Sequence, residues 1–250
     1  MTRIYEALKH ASQLQISRRP MTETPQIVEP TPMTALPARS ASEDMDAEML
    51  TLYQAVESLL AKIPRKLVMF MGSLPGEGTS TLARGFATLA SEHMNKRVLL
   101  FDADRQAPNQ KNFFGVSNQT GWQDTTDTDG IQDVICQIGA SRLYLCPSSN
   151  NVTVSPEIFD TRTLAATMAS LREKFDLVVI DAPPPQQAPD GLALAPHVDG
   201  VILVVEAENT RWKVAENTKN RLMASRAKIL GMVFNKRHFY IPEKFYRLLR

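Results

Sequence analysis

The chain has little that would hold it together from outside a core. It carries two cysteines in 250 residues, Cys136 and Cys146. That excludes a disulfide framework and suits a reducing compartment, and both read as small core residues. Its four histidines are scattered, none paired with cysteines at zinc-binding spacing. No uninterrupted apolar run approaches the ~20 residues a helix needs to cross a bilayer. The first residues lack the apolar core of a secretion signal. Excess charge is missing too: 28 Lys and Arg stand against 27 Asp and Glu, for a formal net charge of +1. Broad nucleic-acid binding is therefore not expected. These absences predict a cytoplasmic protein whose membrane contact is peripheral or made through a partner.

What is present divides into three. Residues 1–15 read as a short amphipathic docking helix, with Thr2 as cap and Ile4, Leu8, Ala11 and Leu14 at helical spacing. So short a helix is marginal alone in water. It docks on its own domain, a sister copy or another protein, or it frays. Residues 16–43 hold Pro20, Pro25, Pro30, Pro32 and Pro37 in a polar stretch and read as a flexible, largely disordered linker. A tether of ~25 residues reaches roughly 30 Å. Residues 44–250 are globular in pattern. Met49, Leu52, Tyr53, Val56, Leu59 and Leu60 mark an amphipathic helix. Buried-strand runs follow at 67–71, 98–101, 143–146, 177–180, 201–205 and 229–234, with helical patterns at 82–94, 164–175 and 214–224. This alternation predicts an α/β fold of three layers: a mainly parallel central sheet with helices on both faces. Residues 117–130 read as a polar loop.

The chemistry gathers at three strand ends. The first opens Ser73-Leu-Pro75-Gly76-Glu77-Gly78-Thr79-Ser80-Thr81, between an apolar run and a helix. Strand, glycine-rich turn and helix make a phosphate-binding loop, in which backbone N–H groups approach phosphate oxygens. Residues 75–81 are the nucleotide-binding candidates, with the Ser80 hydroxyl placed for Mg²⁺. Where such loops carry lysine, this chain has Thr79. A charge ~4 Å from a phosphate contributes about 4 kcal/mol at an effective dielectric near 20. Acting fully on a transition state, that is close to a thousandfold in rate. Arg84, Arg105, Lys111 or a partner chain could supply a substitute cation. The second strand ends in Asp102-Ala-Asp104 and the third in Asp181-Ala-Pro-Pro. Carboxylates beyond the carboxyl ends of parallel strands, near a phosphate loop, are natural Mg²⁺ partners. Asp181 and Asp102 are the metal candidates alongside Ser80. Asp102 and Asp104 are the catalytic ones, Asp102 to orient a water or hydroxyl and Asp104 to assist the metal.

These motifs resemble the cytoplasmic domains of bacterial tyrosine autokinases of capsule and exopolysaccharide systems. The likeness runs from about residue 44 to 236 through Asp190, Val198–Val205 and Gly231–Asn235. MinD- and ParA-like P-loop ATPases are the wider relatives. The opening Met1–Ala11 resembles the leader of detached cytoplasmic members. The resemblance implies ATP or ADP with Mg²⁺ and a membrane chain-length determinant, or polysaccharide co-polymerase, as partner. It also implies a place at the inner membrane and leaves a homo-oligomer open. It implies that Asn235 hydrogen-bonds a purine; a strand-end turn residue reads equally well.

The chain departs from the family where catalysis would be felt. Besides Thr79, Arg105 stands one place early and Gln106 takes the arginine position. The ring-assembly arginines are absent from Glu48–Gln54, and the tail keeps two tyrosines, Tyr240 and Tyr246. The basic, aromatic segment 236–250 is a docking element for a partner or anionic surface, or a final helix packed on the sheet edge. Three functions follow: a nucleotide-binding accessory protein of polysaccharide export with weak or absent kinase activity, an active tyrosine autokinase using a substitute cation, or a MinD/ParA-like positioning ATPase.

Overall fold

In a computed structural model of the chain, residues 43–117, 120–125, 130–149 and 161–237 are described. The expected docking helix 1–15, nearly all of the linker 16–43 and the tail beyond residue 237 lie outside them.

Seven strands build one sheet. Five come from the near-continuous apolar runs: β1 (Lys66–Gly72), β2 (Val98–Asp102), β5 (Leu177–Ala182), β6 (Gly200–Glu206) and β7 (Ile229–Asn235). A sixth, β4 (Leu143–Cys146), is short, and β3 (Cys136–Gln137) spans two residues. The order across the sheet is β3-β4-β2-β5-β1-β6-β7. All neighbours run parallel except β3 against β4. Every residue of β1, β2 and β5 is buried, as a strand covered on both faces requires.

Helices α1 (Glu43–Leu59) and α2 (Thr79–Glu92) cover one face. The other carries α5 (Thr161–Lys174), the short α6 (Asp190–Leu194) and α7 (Trp212–Ala224). Two one-turn helices, α3 (Gln110–Phe114) and α4 (Ile131–Val134), sit in the connections after β2. The period of two in a strand sorts the core into two halves. Val68 and Phe70 pack under α1 and α2, while Leu67, Met69 and Met71 face the opposite layer. This is the expected α/β three-layer architecture. The expectation omitted α3, α4, α6 and β3, whose runs are too short to show a period.

Topology places the site. From β1 the chain moves outward to β2, returns to β5, then crosses to β6 and β7 on the other side of β1. Beyond the carboxyl end of β1 the direction of winding reverses, and a crevice opens there.

Phe86 of α2 locks that helix over β1. It is fully buried, with ring centroids 5.5 Å from Tyr53 and 5.3 Å from Phe70. Phe86→Ala should lower unfolding free energy by about 3–5 kcal/mol, read by urea denaturation.

Candidate functional site

The loop after β1 takes its shape from two glycines. Gly76 and Gly78 have φ of 85° and 88°, left-handed values that strain other residues. A Cβ on Gly78 would also collide with the Asn235 side-chain amide. Helix α2 follows at once, its early bond running from Leu82 N–H to Gly78 O at 3.0 Å. No side chain caps its N-terminus, and its first turn carries no acid. The orphan amides of that turn, with the helix dipole, suit an anion.

Glu77 turns the other way. Its carboxylate is buried and accepts from the backbone N–H groups of Ser73 and Leu74, the latter at 2.9 Å. Its second oxygen accepts from the Thr210 hydroxyl. Glu77 thus ties the loop to itself and to the segment after β6. Thr79 also points beneath the loop: a Cβ at Gly72 would lie 2.7 Å from its hydroxyl oxygen. Ser73 Oγ is buried there without a hydrogen-bond partner. Pro75, Gly76 and Thr81 are exposed, and Ser80 is half-buried.

Register brings the two strand-end acids together. Asp102 and Asp181 are direct partners across β2 and β5. Both are buried, at 0% and 2% exposure. Asp102 accepts from the backbone of Asp104 at 3.1 Å and Gln110 at 3.2 Å. Asp181 accepts from Gln110 Nε2 at 2.7 Å and from the Ser80 side chain. Burial first, and then the neighbouring Asp181 charge, push the Asp102 carboxyl well above the usual range. Burial likewise raises Asp181 to about 6, against the lowering effect of Gln110, Ser80 and Arg84.

Gln110 and Arg84 complete this cluster. The Gln110 amide bridges Asp181 and the Ser80 carbonyl, the latter at 3.1 Å. Its oxygen accepts from Arg84 Nε at 2.9 Å. The Arg84 guanidinium also donates to Asn109 and lies 3.5 Å from the Phe113 ring centroid. Asp104 is half-buried and folds into a local turn, accepting from Gln106 and Ala107 N–H at 3.0 Å each. Arg105 forms a two-pronged ion pair with buried Asp190.

The far side of the loop is held by the end of β7. Asn235 Nδ2 donates to Glu77 O at 2.8 Å, and Lys236 Nζ to Gly76 O at 2.6 Å. Sequence reasoning had Asn235, but neither Lys236 in this place nor Gln110. No local signal marks them, because both act through distant segments.

Among the described residues, no cluster of three or more His, Cys, Asp or Glu could hold a metal alone. The donors here are one hydroxyl, Ser80, and two carboxylates. That set fits Mg²⁺, which takes few protein ligands and completes its shell with phosphate and water.

A raised acid pKa means that ionisation opposes folding. The penalty is absent below the ordinary carboxylate range, grows as pH rises, and is complete above about pH 6 for Asp181. Asp181→Asn should therefore stabilise the ligand-free protein by on the order of 2 kcal/mol at about pH 8 and leave it unchanged near pH 4. Thermal melts at the two pH values check this.

A family model described as an AAA domain matches residues 66–221. The chain is 24% identical over 196 residues to the tyrosine-protein kinase ptk of Acinetobacter johnsonii, covering 78% of this chain and 27% of that protein. It is 27% identical over 186 residues to the succinoglycan biosynthesis transport protein ExoP of Rhizobium meliloti, covering 73% of this chain and 24% of that one. It thus spans about a quarter of the length of both. The tyrosine-protein kinase YwqD of Bacillus subtilis is 26% identical, with 68% of this chain and 72% of that protein covered. Among solved structures, the VpsO kinase domain is 29% identical with a TM-score of 0.60, covering 79% of this chain and 100% of that one. The kinase domain of the Escherichia coli tyrosine kinase ETK shares the fold at 19% identity and a TM-score of 0.66, covering 78% of each chain. So does the septum site-determining protein MinD of Pyrococcus horikoshii, solved with Mg-ADP, at 21% and 0.56, covering 74% of this chain and 77% of that one. With more than half of its length matched, the chain belongs to the AAA domain family of P-loop proteins, with bacterial tyrosine-protein kinases among its relatives.

Proposed function

We propose that this protein is a nucleotide-binding accessory or regulatory protein of exopolysaccharide or capsule export. It binds ATP or ADP with Mg²⁺ and acts on a membrane polysaccharide co-polymerase, with weak or absent kinase activity. One observation carries the reading. The uncapped loop and helix end stand beside Ser80 and the buried Asp102–Asp181 pair, while residue 79 brings no cation and turns its side chain under the loop. Backbone amides of residues 75–81 would hold the phosphates. Ser80, Asp102 and Asp181 would hold the metal, and Asp104 would support it. When bound, Mg²⁺ would neutralise charge on the phosphate oxygens. Asn235, already bonded to the loop by one amide hydrogen, keeps its oxygen and second hydrogen for a base.

The polysaccharide setting is supported by ExoP, named for succinoglycan biosynthesis and transport. No described helix is long and apolar enough to cross a membrane. The cytoplasmic place peripheral to the inner membrane belongs to this proposal and follows from the membrane partner named in it. A second reading, an active tyrosine autokinase, is favoured by the names of ptk and YwqD. Its acceptors would be Tyr240 and Tyr246, outside the described residues. The MinD-like alternative rests on shared fold alone.

Calorimetric titration should find ATP and ADP binding that strengthens with Mg²⁺, and mass spectrometry after incubation with Mg-ATP should find little phosphotyrosine. Thr79→Lys should raise affinity or turnover by about tenfold or more. Absence of binding at millimolar nucleotide would reduce the protein to a scaffold, and strong tyrosine labelling would establish the kinase reading.

A further inference from the structure

We propose that Lys236 is the cation of the phosphate loop, delivered from the end of β7 in place of the lysine that position 79 lacks. This rests on the nucleotide-site reading above and adds to it a residue that sets affinity for the phosphate chain.

Of the other cations considered for the loop, Lys111 is buried and the two arginines are committed elsewhere. Arg84 is held by Gln110, Asn109 and the Phe113 ring, and Arg105 by Asp190. Lys236 touches the loop itself, at Gly76 O. Its backbone is fixed for the task. Its φ of 55° is left-handed, and the residue before it is anchored twice, by Ala207 N–H to Asn235 O at 2.8 Å and by Asn235 Nδ2 to Glu77 O. The ammonium has three donors. Gly76 O takes one, and Glu206 Oε2 takes another at 3.1 Å. Among the described residues nothing takes the third, and the side chain is 45% exposed. A ligand can therefore approach it without unfolding the strand end.

The pairing with Glu206 sharpens the prediction. Glu206 partly cancels the lysine charge, so it works against an anion at the loop. If the pair merely braced the loop, losing either partner would weaken nucleotide binding. If Lys236 serves as the phosphate cation, the two losses act in opposite directions.

The test is calorimetric titration of the full chain with ATP, ADP and adenosine, with Mg²⁺, at two salt concentrations. Lys236→Met should weaken ATP roughly tenfold, ADP less and adenosine not at all, and should flatten the salt dependence. Lys236→Arg should keep most of the affinity, and Glu206→Gln should raise affinity for ATP. Thr79→Lys in the Lys236→Met background should restore ATP binding. Unchanged ATP affinity in Lys236→Met, equal losses for adenosine and ATP, or a loss in Glu206→Gln would overturn the role of Lys236 while leaving the nucleotide site standing. Failure of the unmodified protein to bind any nucleotide would overturn both. The Glu206→Gln arm decides the matter even where Lys236→Met fails to fold.

Discussion

Two carboxylates buried side by side are the constraint around which this molecule is arranged. Parallel pairing of β2 with β5 sets Asp102 opposite Asp181, and burial of the strand ends removes the water that would screen them. Like charges in such a place cost stability unless something answers them. Part of the answer is internal: backbone N–H groups reach Asp102, the Gln110 amide reaches Asp181, and Arg84 lies behind Gln110. The carboxyls remain raised despite these partners. A divalent cation shared with phosphate oxygens would complete the neutralisation.

The loop facing this pair is held without help from residue 79. Glu77 grips the start of the loop from beneath, and Thr210 joins it from the segment after β6. Asn235 and Lys236 hold two of its carbonyls from the end of β7. Loop shape and loop charge are thus separate properties here. Replacing lysine by threonine removes charge at one point and leaves a preorganised set of backbone donors in place. Under the function proposed above, that separation would let the chain keep a ligand while losing turnover.

Much of this was legible in the sequence, for a physical reason. Strands covered on both faces must be continuously apolar, so Leu67–Met71 and Leu177–Ile180 announced themselves, and the acids closing such runs could be placed at the carboxyl edge of the sheet. Gly76 and Gly78 marked a glycine-rich turn, and the structure gives both a left-handed backbone. Glu77 read as a loop residue, but its buried carboxylate depends on Thr210, far along the chain. Gln110 sits on a helix of one turn, below the length at which periodicity speaks. Lys236 read as the start of a basic, aromatic tail, because nothing local says that β7 ends against the phosphate loop.

One pocket, formed by the loop amides, Ser80, Asp102 and Asp181, carries the proposed function. Its most direct test is a crystal structure grown with Mg-ADP. The account predicts the terminal phosphate of ADP within the loop and at the start of α2, and the metal bound through Ser80 Oγ beside Asp181. Nucleotide seated elsewhere, or metal remote from both carboxylates, would contradict it.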